Sequence, residues 1–283
     1  MASFTNFATL SYNGGTTNSN IVTGEILEAL TAVKTAVSAN YSAGDRITYA
    51  LSLVNTGTAA ITDYTVTDNL GGYTVGANTV YPLAYNAGTV RYYINGVLQT
   101  PPTVTAGPPL TVTGLTVPAG GSAVLIYETT ATPVAPLATG SSITNTATIT
   151  GGGLTTPITA QATVETANSA DLTISKALSP TTVTENGRIT YTFVISNTGN
   201  TEATATGNVV VTDTFAPILR NIAVTYNGTA WTEGTNYTYN AATGVFTTLA
   251  GQITVPAASF TQNTDGTFTV TPGTATLVIT GTV

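Results

Sequence analysis

Apolar and polar residues alternate with a period of two through most of this chain. In "DRITYALSLVNTG", residues 45–57, Ile47, Tyr49, Leu51 and Leu53 take every second position, and in "SITNTATI", residues 142–149, Ile143, Ala147 and Ile149 do the same. Such runs are short and are broken by Gly, Pro or Asn, the pattern of half-buried strands joined by tight turns. Asn-Gly between β-formers in "YYINGV" and "TYNGTAW" predicts two hairpins. One stretch, "GEILEALTAVKTAV" at 24–37, is rich in helix formers at tolerable helical spacing. Its counterpart "ADLTISKALSP" alternates Leu172, Ile174 and Leu178 with polar neighbours. A strand is therefore expected around 29–37, with room for a helical turn before it.

That counterpart exists because the chain repeats itself. "DRITYALSLVNTG" matches "GRITYTFVISNTG" at 187–199, and the same shift of 142 carries Lys34 onto Lys176, the only two lysines. "TVTDNL" (65–70) then parallels "VVTDTF" (210–215), "LTVPAG" parallels "ITVPAA", and "AVLIYETTAT" parallels "ATLVITGTV". Two all-β repeats of this kind predict two tandem immunoglobulin-like β-sandwiches. The expected boundaries are 29–168 for a complete sandwich and 169–283 for one lacking its last strands.

The shortfall has a counterpart at the front. "SFTNFATLSYNGG" (3–15) resembles "SITNTATITGGGL" (142–154) at a shift of 139, so that Asn6 corresponds to Asn145. Residues 1–28 thus read as the missing last strands of the second repeat, displaced to the N-terminus. A sandwich without those strands exposes unpaired backbone and an apolar groove. Insertion of one molecule's front segment, through Phe4, Asn6, Ala8, Leu10 and Tyr12, into the next molecule's groove satisfies both partners. This is donor-strand complementation, and it is head-to-tail and open-ended.

Strand parity also points charged residues inward. Lys176 shares the parity of Leu172 and Ile174, Asp213 that of Val211 and Phe215, Asn145 that of Ile143 and Ala147, and Asn6 that of Phe4 and Ala8. Lys34 and Asp68 follow the same rule in the first repeat. Two trios result: Lys34, Asp68 and Asn145 within repeat one, and Lys176 and Asp213 with Asn6 of a neighbouring subunit. Two outcomes are open to a buried trio of this composition. One is a buried ion pair with the Asn hydrogen-bonded to it. The other is a Lys–Asn amide, formed when burial leaves the amine neutral and the Asp moves the proton.

Composition narrows the chemistry. The 283 residues contain no His and no Cys, which removes thiol nucleophiles, disulfides, His-based triads and the usual zinc sites. Six basic residues against 13 acids do not make a phosphate-tracking surface, so no nucleic-acid partner is expected. No metal and no cofactor is expected either. No apolar run reaches the roughly 18 residues of a membrane-spanning helix. The first residues lack the regions of a secretion signal, so the chain is exported by another route or its signal has been removed.

The motifs "GDRITYALSLVNTG", "TVTDNL", "ITNTATI", "GRITYTFVISNTG" and "VVTDTF" resemble the conserved repeat of bacterial surface proteins known as domain of unknown function eleven. The whole chain is similar to two-repeat proteins of anaerobic spore-forming Gram-positive bacteria. The arrangement of strand Lys, Asp and "NTA" Asn is similar to that of isopeptide-forming pilin domains. The resemblance implies an extracellular β-sandwich without enzyme activity, and the lack of a sortase signal and wall anchor disfavours sortase-built pili. The function expected is a subunit of a cell- or spore-surface fibre, a homopolymer whose receptor, if it has one, the residues do not identify. The alternative is an adhesin or S-layer binding module, with Tyr92, Tyr93, Trp231, Tyr237 and Tyr239 as aromatic platforms.

Overall fold

The computed structural model describes residues 2–26 and 29–283. Apart from one 3-10 turn at Ala205–Gly207, the regular elements described are all strands. The chain divides into two compact units: one holds residues up to 135 together with 142–165, the other 136–141 and 166–283. Within the described residues, no helix is long and apolar enough to cross a membrane.

At the front stand β1 (Ala2–Asn6), β2 (Thr9–Tyr12), β3 (Gly15–Asn18) and β4 (Val22–Ile26). They fold on one another as a single interrupted hairpin, β1 against β4 and β2 against β3. The hairpin lies outside both sandwiches, with Phe4, Leu10 and Tyr12 more than half exposed. Its β1 register, Phe4 opposite Gly24, lets the Phe4 ring lie across Gly24, where a Cβ would meet the ring at 2.4 Å.

The first unit continues with β5 (Leu30–Ala36), β6 (Asn40–Tyr41), β7 (Arg46–Asn55), β8 (Ile61–Asp68), β9 (Tyr73–Val75), β10 (Asn78–Val80) and β11 (Leu83–Tyr85). Then come β12 (Arg91–Ile94), β13 (Val97–Leu98), β14 (Thr103–Thr105), β15 (Leu110–Val117), β16 (Ser122–Ala131), β17 (Ser142–Gly151) and β18 (Ile158–Thr166). One sheet runs β13-β12-β16-β7-β5, and the other β14-β15-β8-β17-β18-β6. The inward positions of β7, Ile47, Tyr49, Leu51 and Leu53, are completely buried against those of the other sheet. The stretch with helix formers is strand β5 from Leu30 onward; residues 27 and 28, where a helical turn was allowed, lie outside the described residues. Pairing with β7 along its whole length overrides the local preference.

The second unit contains β19 (Leu172–Ser179), β20 (Arg188–Asn197), β21 (Thr212–Thr214), β22 (Arg220–Tyr226), β23 (Thr229–Trp231), β24 (Tyr237–Asn240), β25 (Val245–Thr248), β26 (Ser259–Gln262), β27 (Phe268–Thr271) and β28 (Gly273–Thr282). Its first sheet, β23-β22-β28-β20-β19, repeats the β13-β12-β16-β7-β5 path of the first unit, without a counterpart of β11, which pairs with β16 there. Its second sheet is β24-β25-β21 and stops there. Among the described residues of this unit, nothing stands where β17, β18 and β6 continue the sheet beyond β8.

Both Asn-Gly hairpins form. Asn95 and Gly96 have φ of 48° and 78°, and Asn227 and Gly228 have 48° and 79°, the left-handed values that a primed two-residue turn requires. The NTG motif is structural too. Asn55 accepts from the Gly57 N–H and donates to the Ala59 carbonyl, and Asn197 makes the same bonds to Gly199 and Thr201.

Candidate functional site

Lys34 lies on the edge strand β5 of one sheet, and Asp68 and Asn145 lie on adjacent strands β8 and β17 of the other. The β17–β8 register sets Ala147 opposite Asp68, so Asn145 is two residues along on the same face. Lys34 and Asp68 meet between the sheets, and Asn145 is buried on the strand next to that of Asp68. Lys34 Nζ is 2.5 Å from Asp68 Oδ2, with the two side chains 0% and 1% exposed. The Tyr127 hydroxyl donates to the same Asp68 oxygen, and Asp68 Oδ1 accepts from the Leu70 N–H at 3.0 Å. Lys34 Nζ sits over the Tyr49 ring, 4.8 Å from its centroid, and Tyr49 stacks on Tyr127.

Asn145 is fully buried, and neither atom of its carboxamide has a regular hydrogen-bond partner. It faces the Tyr49 and Tyr127 hydroxyls without reaching good geometry. A carboxamide buried in this state costs about 1–3 kcal/mol, an unusual expense for a native core. Burial pulls the Lys34 ammonium down to about 8 from 10.5, the Asp68 carboxylate offsetting part of that shift. Burial also raises the Tyr49 and Tyr127 phenols above their ordinary value, with the Asp68 charge adding to it. The site therefore combines an amine that is partly neutral near neutral pH, a carboxyl group in contact with it, and an unpaired carboxamide on the neighbouring strand.

In the second unit Lys176 and Asp213 also meet, with Nζ 2.5 Å from Oδ2. Lys176 Nζ lies over Tyr191, 4.5 Å from the centroid, Tyr191 being the counterpart of Tyr49. The sequence points this pair inward in a sandwich that lacks its last strands, and the Lys176 side chain is 41% exposed and that of Asp213 18%. Ile174 and Leu178 on the same face of β19 are 55% and 38% exposed. The cause is the shortened second sheet, which leaves the far edge of β21 and the face of β19 uncovered. A second difference is chemical, for Ile279 stands where Tyr127 does, so Asp213 has no phenol donor.

Asn6 is exposed on the N-terminal hairpin. Its surroundings there match those of Asn145: Asn6 is opposite Val22 and Phe4 opposite Gly24, as Asn145 is opposite Ala162 and Ile143 opposite Val164. The front segment thus matches the whole β17–β18 hairpin rather than one strand. Parity reasoning singled out only Phe4, Asn6, Ala8, Leu10 and Tyr12. The return strand lies within the 1–28 segment that the sequence reads as the missing last strands, but none of its residues is singled out, because "NIVTGEI" shares no motif with "PITAQATVE". Tyr49 and Tyr127 escaped as site residues as well, although both have inward parity in "RITYAL" and "LIYETT".

Four of the five aromatic residues considered for a binding platform make contacts within the fold. The Tyr92 hydroxyl donates to the Thr116 carbonyl, Trp231 stacks on Tyr226 at 4.8 Å, Tyr237 packs on Phe246, and the Tyr239 hydroxyl donates to the Leu219 carbonyl.

No family model matches the chain, and no curated protein matches its sequence. Several solved structures are similar in fold. The major pilin subunit BcpA of Bacillus cereus is 14% identical, over 96% of this chain and 73% of that one, with a TM-score of 0.35. A 35 kDa C-terminal fragment of the major pilin GBS80 of Streptococcus agalactiae is 14% identical over 87% of each chain, with a TM-score of 0.37. The pilus backbone protein RrgB of Streptococcus pneumoniae is 14% identical over 86% of this chain, with a TM-score of 0.36. This chain spans 55% of the length of RrgB.

Proposed function

We propose that this protein is a structural subunit of an extracellular fibre on a cell or spore surface, without enzyme activity, and that it polymerises head-to-tail by donor-strand complementation. One observation carries the reading. The second unit repeats the five-strand path of one sheet of the first and the β14-β15-β8 part of the other, and lacks a counterpart of the β17–β18 hairpin, whose sequence and register resemble those of the exposed residues 2–26. Docked beside β21, that hairpin pairs the open edge and covers the face of Lys176, Ile174 and Leu178. Only four Cα steps, at most about 15 Å of extended chain, separate the end of β4 from the start of β5. The hairpin is thereby tethered to the first unit, and in this proposal it enters the groove of another copy. A heterologous contact of this kind grows open filaments.

Within the first unit the trio is suited to form a Lys34–Asn145 amide. With a pKa of about 8, roughly a tenth of the Lys34 amine is neutral at pH 7. It attacks Asn145 Cγ, the Cγ–Nδ2 bond breaks, and Asp68 passes the amine's proton to the departing ammonia. The amide joins the two sheets and removes the unpaired Nδ2.

Negative-stain electron microscopy of the purified protein, with a variant lacking residues 2–26, tests the assembly. Filaments are expected from the intact chain and soluble monomers from the deletion. Identical filaments from both would overturn the reading.

A further inference from the structure

The Lys176–Asp213 pair poses a problem that the first unit does not share. A Lys–Asp pair under three aromatic rings is an expensive arrangement to cover with apolar strands unless a third polar group enters with them. Lys176 Nζ lies 4.5 Å from the Tyr191 centroid, 5.4 Å from that of Phe193 and 5.6 Å from that of Phe215, so rings already close one side. Asp213 Oδ1 accepts only the Thr214 N–H, at 2.9 Å, and its other oxygen meets the ammonium. The remaining side opens toward the missing strands. No Asn of the second unit stands at the position of Asn145, because that position belongs to the absent hairpin.

We propose that the second unit is half of a covalent joint, completed by Asn6 of a second copy of this chain, whose carboxamide becomes bonded to Lys176. The inference rests on the donor-hairpin reading and adds a bond to it. The first unit supplies the register. Ala147 pairs with Asp68 and Ile149 with Val66. Carrying these pairs over by the two sequence shifts places Ala8 opposite Asp213 and Leu10 opposite Val211, with Asn6 two residues along β1 on the inward face. Asn6 then has the relation to Asp213 that Asn145 has to Asp68. On docking, the hairpin excludes water from Lys176 and Asp213, and the proton moves from the ammonium to the carboxylate. The free amine attacks Asn6 Cγ, the Cγ–Nδ2 bond breaks, and the leaving nitrogen departs as ammonium, taking the proton held by Asp213. Lysine ammonium and carboxamide become amide and ammonium, with no oxidant, metal or nucleotide.

The exposure of the pair in the free subunit gives this joint an order. Lys176 keeps water about it until a hairpin arrives, so the bond forms at a junction and not before assembly. Ile279 in place of Tyr127 leaves Asp213 without the phenol that holds Asp68. The expected consequence is slower bond formation at junctions than within the first unit.

The test uses assembled fibres of the intact chain, Asn6→Ala and Lys176→Arg, each examined by electron microscopy and by denaturing gel after boiling. The wild type is expected to give a ladder of multimers. Its digest should contain a peptide with residue 6 joined to one with residue 176, about 17 Da lighter than their sum through the lost ammonia. Lys176→Arg keeps the charge beside Asp213 and has no amine to acylate, and Asn6→Ala has no carboxamide. Both are expected to form fibres that denature to monomer. Wild-type fibres that denature to clean monomer would overturn the bond and leave the donor hairpin standing, as would a ladder that survives in either variant. Absence of wild-type fibres would overturn the donor-hairpin reading and this inference with it.

Discussion

Lys34 Nζ and Asp68 Oδ2 lie 2.5 Å apart in a core that leaves neither side chain more than 1% exposed. They belong to different sheets, and the strand next to that of Asp68 carries the buried, unpaired carboxamide of Asn145. If this trio has reacted, the unassembled subunit weighs about 17 Da less than its sequence requires, one ammonia lost. Asp68→Ala is expected to restore the full mass, because Asp68 is the carboxylate that touches Lys34. Intact-protein mass spectrometry reads both, and an unshifted wild-type mass would leave a plain ion pair.

Tyr127→Phe keeps the ring and removes the hydroxyl on Asp68. Freed of that donor, Asp68 is less well oriented for proton transfer. The mass loss after synthesis should still reach completion, with a rate reduced about ten-fold, on the scale of one weakened general acid–base contact. Time-resolved mass spectrometry on freshly made protein measures it; an unchanged rate would assign the phenol to packing alone.

The Lys34 ammonium has a pKa of about 8 in the fold against 10.5 ordinarily. In a variant that cannot form the amide, Asn145→Ala, the unfolded chain then holds a proton between these values that the folded chain has lost. Stability rises with pH wherever the unfolded state binds more protons. A gain of about 2 kcal/mol is expected between pH 8 and 10, on the scale of 1.36 kcal/mol per unit. Above about pH 10 the trend reverses, because buried Tyr49, Tyr64 and Tyr127 keep their protons while an unfolded chain ionises. A wild type in which Lys34 is acylated, as proposed, would lack the rising limb. Urea denaturation across pH distinguishes the two profiles.

Leu10 is 64% exposed in the subunit, and in the proposed docking it would face the groove. Leu10→Asp should leave the melting temperature of the monomer unchanged and weaken each junction by at least the roughly 1.5–3 kcal/mol of one buried side chain. Critical-concentration measurements on non-covalent Asn6→Ala fibres carrying this second change read the effect.

Gly199 ends the NTG motif where a Cβ would meet the Ser169 carbonyl oxygen at 2.2 Å. Gly199→Ala is expected to destabilise the second unit by about 2–3 kcal/mol, as an overpacked backbone contact does. Gly107→Ala, with nothing within 4 Å of the added carbon, serves as the neutral control. Thermal denaturation compares them.

Strand parity found Lys34, Asp68 and Asn145 from the sequence because alternation along a strand is a fixed geometric rule, and the repeat supplied the alignment of strands. It also placed β5 as a strand against its helix-forming composition. Parity gives a direction and not what fills the space in that direction, so the openness at Lys176 is legible only through the missing last strands of the second repeat. Nor could parity find Gly24 as the return partner of Phe4. Across a hairpin a large ring can be matched by a missing side chain, and that complementarity has no signature in residue type. The Tyr127 contact with Asp68 escaped for a related reason, as one inward tyrosine looks like any other until the opposite sheet is known.

The placement of Lys34 and Asn145 has a mechanical meaning. In the proposed fibre under tension, load would enter the first unit at the start of β5 and leave along the end of β18, the strand paired with β17. An amide from Lys34 to Asn145 would join β5 to β17, one strand short of that exit. Pull then passes through the few residues before Lys34, across the bond, and out along the segment after Asn145. The intervening strands, with the hydrogen-bond ladders of β7, β8, β15 and β16, lie outside the force path and cannot be extended by pulling.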